Sequence, residues 1–464
     1  MSSFIGFDAV DALTYETKRG EETRCSFCSN YCVRTFIDLS VKGSKKRFIV
    51  APCEKGTVET KEELRALLRK KSRLKDEFPN LVREANELLF SSYRPEVVLQ
   101  GGLSALLNRK KRRTLREAVV GVPRVLNAYS LAPFFRTYFE ALGVKKVVFS
   151  SYTSEELYRK GAKRGSIDPC YPSKVALAHV HELIYEKRVS VVFFPCVRTL
   201  PKEVENAEGH WACPTVTATP EVVKAAFTKE RDEFAERGVK YLNPVLDFED
   251  EELLSRQLFK AVGPLFGVTR KEHELALKQA LGALKTYKEK LRRRGAELLE
   301  KLKREKRVGV VLLARPYHND PGLNHGIPDE INDRGYAVLP VDALPRDEAL
   351  LNELFKEELK SGRIKSPLEI TDVWPKCYSE NSSLKVWAAR FVSKVPYLSA
   401  VELSSFRCGH DAPIYGLIEE LLASTGRPFF TFHELDENRP AGSIKLRVET
   451  LDYFLKRYEE EVLR

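Results

Sequence analysis

The chain has 464 residues, 43% of them hydrophobic and 31% charged, which suits a folded globular protein of two or three domains and excludes a disordered one. No apolar run reaches the length of a membrane span, and the acidic start MSSFIGFDAVDALTYE lacks the pattern of a secretory signal, so the expected location is the cytoplasm, away from membranes. The 77 Lys and Arg exceed the 66 Asp and Glu by 11, an excess compatible with nucleic acid, phosphorylated substrates or an acidic partner. In a reducing compartment the nine cysteines read as metal ligands or reactive thiols rather than as disulfides.

Five regions follow along the chain. Residues 1–60 form a short, turn-rich module with four cysteines. Residues 61–117 read as a basic helical connector, with leucines at helical spacing in ELRALLRKKSRL and a charge run RKKRR at 109–113 that suits a solvated helix face. From 118 to 225, short apolar strands (VVGVPRVLNA, VKKVVFS, VSVVFFP) alternate with helices (SLAPFFRTYFEALG, PSKVALAHVHELIYEK), the signature of a mostly parallel sheet covered on both faces. Residues 226–306 are expected to be a helical bridge, whose last helix carries Leu277, Leu281, Leu284, Leu291, Leu298 and Leu302 along one stripe. The alternation resumes over 307–464 with RVGVVLLA, GYAVLPVD, PYLSAVEL and PFFTFHE as strands. The expected fold is therefore α/β: two duplicated α/β domains with mostly parallel sheets, a helical bridge and a small N-terminal cysteine-rich module. Ligands in such sheets collect beyond the carboxyl ends of the strands.

Cys25, Cys28 and Cys32 lie within CSFCSNYC, and Cys53 follows in APCEKG. Three clustered thiolates and one distant partner can close a tetrahedral site, for zinc or for the corners of a [4Fe–4S] cube, and the spacing favours the cluster. It is the reverse of the CxxxCxxC of radical S-adenosylmethionine enzymes. The other five cysteines, Cys170, Cys196, Cys213, Cys377 and Cys408, all fall in Pro- or Gly-containing segments at the ends of predicted elements. One such cysteine alone would pass for a small buried hydrophobe. Five at element ends, several just before helices whose dipoles favour thiolate, point to a shared cluster.

The segments CYPSK, FFPC, ACP, ARPYHNDPGLNHGIPDEI and SSFRCGHDA resemble the conserved segment of the large activase-related proteins of the 2-hydroxyacyl-CoA dehydratase superfamily, which includes the benzoyl-CoA reductases and the double-cubane cluster proteins. The resemblance runs from CSFCSNYC to DENRPAGSIKLRVET. It implies an iron–sulfur cluster, of [4Fe–4S] or double-cubane type, held between two α/β domains by cysteines of each. It also implies a separate actin-like ATPase activator with its own cluster, and an acyl-CoA or other small-molecule substrate. On this resemblance Cys170, Cys213 and Cys196 hold one half's cluster and Cys377 and Cys408 the other's. Two departures stand out. The second half offers two thiolates where symmetry wants three, leaving a position for water, substrate, His318, His325 or His433. The chain also shows neither the ATPase domain of fused relatives nor a P-loop.

The loop RPYHNDPGLNHGIP follows a predicted strand, and its Arg315, His318 and His325 read as an anion clamp and candidate proton donors. The alternative is an elaborate structural turn. Trp374, Trp387, His179 and His181 read as structural. The leading functional expectation is a component of an ATP-dependent reductase or acyl-CoA dehydratase system that passes low-potential electrons to a bound substrate. The first alternative is a non-catalytic electron-transfer or assembly scaffold. The second, a zinc-containing nucleic-acid-binding protein, leaves the five later cysteines unexplained, so nucleic acid is not an expected partner.

Overall fold

A computed structural model describes residues 13–28, 31–41, 44–51, 54–99, 107–161, 170–405, 407–436 and 441–463, and the chain divides into two compact units, Met1–Glu77 and Phe78–Arg464. In the first unit β1 (Thr14–Lys18), β2 (Thr35–Val41) and β3 (Ser44–Val50) form an antiparallel sheet in that order, and helix α1 (Lys61–Glu77) follows. Strand alternation places Asp38 opposite Arg47, and the two pair at 2.5 Å. Before β2 the Cys25 N–H donates to the Cys32 carbonyl at 2.9 Å. Cys25 is buried, Cys28 exposed and Cys32 half-buried, while Cys53 lies outside the described residues.

The second unit opens with α2 (Leu81–Leu89), whose first turn is capped by the Asn80 side chain, and α3 (Arg109–Glu117). Then β4 (Val119–Val122), α4 (Ala128–Ala141), β5 (Lys146–Phe149), α5 (Ala176–Tyr185) and β6 (Val191–Phe193) alternate. Phe194 and Pro195 end β6, and the chain re-enters as β7 (Cys196–Thr199) before α6 (Pro214–Thr228). The same interruption recurs where Asn243 and Pro244 separate β8 (Lys240–Leu242) from β9 (Val245–Asp247). Proline donates no backbone hydrogen bond, so each interruption moves the strand into a second ladder. The result is a parallel sheet of order β5-β4-β6-β8 beside a two-stranded parallel sheet β7-β9. These last two strands correct the expectation of a wholly helical 226–306: Gly238, at φ 65°, stops the preceding helix, and the β-rich run VKYLNPVLDF then extends the sheet.

Helices α7 (Glu251–Phe266) and α8 (Arg270–Glu305) make the rest of the bridge. The reciprocal cap of Thr269 and Glu272 starts α8, and it buries the predicted stripe of Leu277, Leu284, Leu291, Leu298 and Leu302. Beyond it, β10 (Gly309–Leu313), α9 (Ile327–Asn332), β11 (Ala337–Pro340), α10 (Glu380–Lys394), β12 (Leu398–Leu403), α11 (Tyr415–Ala423), β13 (Phe429–Phe432) and α12 (Ala441–Tyr458) build the second half. Its sheet, β11-β10-β12-β13, is parallel throughout and repeats the second-first-third-fourth strand order of the first. Strands β10 and β12 are buried at every residue, as a sheet covered on both faces requires. One continuous hydrophobic core runs from Phe78 through both halves and α8 to Leu422 and includes the fully buried Trp387. Gly295 is required where α8 meets the second half, because a Cβ there would lie 1.7 Å from the Ala343 carbonyl oxygen.

No helix among the described residues is long and apolar enough to cross a membrane.

Candidate functional site

The repeated strand order has a switch point in each sheet, between β4 and β6 and between β10 and β12, where connections leave in opposite directions and open a crevice. The second switch point is lined by the segment after β10, with Arg315, Tyr317 and His318, and by the segment after β12, with Cys408 and Asp411.

The loop 315–326 is built as a tight knot. The buried Asp320 carboxylate accepts from Gly322 N–H at 2.8 Å and Leu323 N–H at 3.3 Å within the loop. It also accepts from Tyr129 Oη at 2.5 Å and Thr153 N–H at 3.1 Å in the first half, so it ties the two halves together. Asn324 donates to the His318 carbonyl at 3.0 Å and accepts from Gly326 N–H at 2.8 Å, and Asn86 of α2 donates to the Asn319 carbonyl at 2.7 Å. Gly322 is needed because a Cβ would meet the Thr153 carbonyl oxygen at 2.2 Å. Asp320, Asn319 and Asn324 are thus scaffolding, and they present the loop's remaining side chains to the interior.

Arg315 is fully buried. Its Nε donates to Asp411 Oδ1 at 3.0 Å and its Nη2 to Ser382 Oγ of α10 at 2.8 Å, while Nη1 has no hydrogen-bond partner among the described residues. Behind it stands a ladder of buried charges. Lys385 Nζ donates to Asp411 Oδ2 at 3.1 Å and lies 2.7 Å from Glu402 Oε1, and Glu402 Oε2 lies 3.0 Å from His433 Nε2. Ser404 Oγ adds a third donor to Asp411 at 2.8 Å. Burial opposes the charge of Asp411, but Arg315 and Lys385 hold its carboxyl well below the usual carboxylate range. Lys385 in turn, despite burial, is kept protonated by Asp411 and Glu402. The two cations and two anions balance, as buried charges must.

Three predicted cysteines act electrostatically on groups at this place. Burial raises the Cys170 thiol, and the charges of Cys213 and Cys408 raise it further. All three act on the buried Tyr317, and Cys213 and Cys408 act on Arg315. Each precedes a helix. The Cys170 carbonyl accepts from Ser173 and Lys174 N–H, the Cys213 carbonyl from Thr217 N–H at the start of α6, and the Cys408 carbonyl from Asp411 and Ala412 N–H ahead of α11. The group draws two thiols from the first half and one from the second.

Cys196 and Cys377 have other immediate surroundings. Cys196 starts β7 beyond the Pro195 break, where its thiol is pushed up to about 11 by burial and by Glu221. Glu221 lies eight residues along α6 from Cys213, about 12 Å at a rise of 1.5 Å per residue. Cys377 is buried in the core ahead of α10, its thiol raised by burial beside Ser383 and Glu380. Its loop borders the site, since the Tyr378 ring stands edge-on to His410 at 5.8 Å.

Burial depresses His318 to about 3, with Lys385, Arg315 and His325 acting the same way and Asp411 opposing them. It is therefore neutral near pH 7, and both its ring nitrogens lack hydrogen-bond partners among the described residues. His325, at φ 53°, stacks on Tyr171, the residue after Cys170, at 6.2 Å. His433 lies apart, stacked on Tyr415 at 3.8 Å in the wall of a surface pocket of about 610 Å³.

Among the described residues no group of three or more His, Cys, Asp or Glu side chains is arranged to hold a metal ion. The unsatisfied Arg315 Nη1 and the unsatisfied neutral imidazole of His318 are both buried, and the charges of Cys213 and Cys408 act on Arg315. Lys385, Glu402 and Asp411 were not expected from the sequence, although a glutamate inside the apolar strand LSAVEL and a lysine inside SLKVWAARF are the signals that could have flagged them.

Residues 119–344 match the family described as CoA enzyme activase uncharacterised domain (DUF2229). The match covers a little under half of the chain. It spans the first half, the bridge and the start of the second half, from β4 through Cys170, Cys196, Cys213 and the Arg315 loop to Leu344, and bears out the resemblance drawn from the sequence. Cys377, Cys408 and the charge ladder lie beyond the matched segment. None of the curated proteins matches the chain. A hypothetical protein of Thermus thermophilus, solved as a crystal structure, aligns over 86% of this chain and 91% of its own at 13% identity, with a TM-score of 0.15 that carries no argument about the fold.

Proposed function

We propose that the protein is an iron–sulfur redox component related to the acyl-CoA dehydratases, with a cluster held by Cys170, Cys213 and Cys408 at the junction of the two α/β halves. The observation that carries this reading is that three thiols, drawn from distant parts of the chain, all act on the buried Tyr317, two residues from a buried guanidinium with an unused donor. A cubane spreads its thiolate ligands over the corners of a cube, more widely than the shell of one ion, and three thiolates leave one corner for another ligand. The matched family adds independent support, since its description ties it to CoA enzymes.

A cluster held there would supply low-potential one-electron chemistry. The chain's own residues do the rest. Arg315 is pinned by Asp411 and Ser382, so its free Nη1 is aimed by the fold and can receive an oxyanion or a polarised carbonyl oxygen. His318, neutral and buried, offers an N–H or a lone pair but no imidazolium. Arg315 and His318 are buried, and the low dielectric around them strengthens each of these contacts. The substrate in this reading is an acyl-CoA or similar thioester, and the electrons come from a separate actin-like ATPase with its own cluster. Cys25, Cys28, Cys32 and Cys53 would hold a second [4Fe–4S] cluster.

Anaerobic purification with iron, sulfide and zinc analysis tests the reading. Each of Cys170→Ala, Cys213→Ala and Cys408→Ala is expected to lose about four irons, the content of one cubane, whereas Cys196→Ala and Cys377→Ala keep them. Full iron content in the first three variants, or zinc alone in the wild type, refutes it.

A further inference from the structure

Residues 91–96, which leave α2, form a strap fixed at both ends. Ser91 Oγ donates to the Leu88 carbonyl at 2.8 Å, and Tyr93 Oη donates to the same carbonyl at 3.1 Å. At the far end Glu96 N–H donates to Gln279 Oε1 at 2.8 Å, and Gln279 Nε2 returns a bond to the Glu96 carbonyl at 3.0 Å. Between these ties Arg94 stands at φ 47°, a left-handed conformation that a non-glycine residue adopts at a cost. The strap, Thr137 of α4 and Gln279, Thr286 and Lys290 of α8 line an open pocket of about 550 Å³. The pocket shares no residue with the loop 315–326. Thr137 lies eight residues along α4 from Tyr129, which holds that loop, about 12 Å at a rise of 1.5 Å per residue.

The polar groups of the pocket divide into acceptors and donors. Ser91 gives its proton to Leu88, Ser92 gives its own to the Glu140 carboxylate at 2.7 Å, and Thr286 to the Gly282 carbonyl at 2.9 Å. A hydroxyl that has given its proton can only accept, and Glu96 adds a carboxylate to this set. The donors are Arg94, Lys290 and Thr137. Neither cation has an ion pair among the described residues, and the Lys290 ammonium stands instead over the Tyr93 ring at 5.5 Å, which keeps it at the pocket wall. Threonines in the helices of this chain commonly return their proton to the carbonyl four residues earlier, as Thr219 does to Thr215 and Thr286 to Gly282. Thr137, only 1% exposed, makes no hydrogen bond. Rotation about its Cα–Cβ bond turns the hydroxyl towards the pocket, where an acceptor would satisfy it.

We propose that this pocket binds a phosphorylated sugar or polyol. The two unpaired cations suit a phosphate, Arg94 as a fork of donors and Lys290 as a point charge, and the Thr137 hydroxyl adds a third donor. The spent hydroxyls and Glu96 suit the ligand's own hydroxyl groups, which must donate. A bare anion leaves those acceptors unused, and a neutral sugar leaves the cations unused. The volume lies within the usual range of small-molecule sites, and Tyr93, Pro95 and Ala283 supply apolar wall. The strap is already tied down, so little ordering is left for binding to cost. This site is independent of the function proposed above.

Isothermal titration calorimetry of the full chain with ribose 5-phosphate tests the proposal. Saturable binding to one site is expected, with ribose and inorganic phosphate each at least about tenfold weaker. Lys290→Ala and Arg94→Ala, both at exposed positions, should each weaken binding about tenfold or more. Thr137→Val should weaken it about tenfold without lowering the melting temperature of the free protein, because the hydroxyl it removes has no partner to lose. The two surface variants decide the matter if the valine variant does not fold. Adenosine 5′-monophosphate, titrated in parallel, separates the sources: tighter binding assigns the sugar phosphate of a nucleotide, and weaker binding a free one. No saturation by either compound up to about 10 mM overturns the proposal. So does equal affinity for inorganic phosphate, or unchanged affinity in the folded Lys290→Ala and Arg94→Ala variants.

Discussion

Glu203 offers the sharpest test of how the two halves are held. It lies in the loop after β7 of the first half, and its carboxylate pairs with Lys288 and Arg292 of α8, with Arg346 of the second half at 4.0 Å. Burial would raise its pKa, but those three cations win and hold it down to about 2 against the ordinary 4.5. That difference corresponds to about 3.4 kcal/mol, at 1.36 kcal/mol per unit. Glu203→Gln keeps the shape and removes the charge. Asp342 limits the loss: it is raised by burial and by Glu203, and it ionises more readily once Glu203 is neutral, taking over part of the cation charge. We expect Glu203→Gln to lower stability by about 2–3 kcal/mol at pH 7, below the full cost of stranding buried charge. Urea unfolding by far-UV circular dichroism measures it. A folded pKa below the unfolded one means stability present above about 4.5 and lost as pH falls towards 2, so the gap between wild type and variant should shrink over that interval. The double variant Glu203→Gln/Asp342→Asn should lose more than the sum of the single ones. A loss under about 0.5 kcal/mol at pH 7, typical of an ordinary surface substitution, would refute the claim that this cluster locks the halves.

Acid should weaken the fold through two further buried histidines. His179, bonded to Ser150 at 2.8 Å and Thr153 at 3.1 Å, is lowered by burial to about 3, and His273, bonded to Tyr138 at 2.7 Å, to about 4. Because the unfolded chain binds protons that the folded one refuses, stability falls as pH drops below about 6.5, and by pH 4.5 each should cost about 2.5 kcal/mol. Equal urea midpoints at pH 7.5 and 4.5 would contradict this. Gly295→Ala would ordinarily strengthen an exposed helix by about 1 kcal/mol. Here it should destabilise by at least about 2 kcal/mol, since the added methyl runs into the Ala343 carbonyl, and a raised melting temperature would show that α8 can shift away. Asp320→Asn should cost about 2–3 kcal/mol, because an amide cannot accept from Tyr129, Thr153, Gly322 and Leu323 together, and unchanged thermal unfolding would show that the loop is not held as described.

The sequence alone determined whatever depends on a few neighbouring residues. The strand–helix alternation, the leucine stripe of α8 and the duplication all follow from hydrophobic period and turn chemistry, which act over a few residues. The same local signals placed Arg315 and His318 at a strand's carboxyl edge. They misread 226–306, because β8 and β9 are too short to show against the long helices around them. Only the tertiary structure relates cysteines far apart in the chain. Cys170, Cys213 and Cys408 are spread over more than half the chain, yet all three act on the buried Tyr317. Cys196 looked equivalent in sequence, yet Pro195 carries it into a separate ladder that faces the middle of α6. The buried ladder from Arg315 to His433 depends likewise on packing between α10 and β12, because a buried charge is tolerated only where a distant partner arrives to balance it.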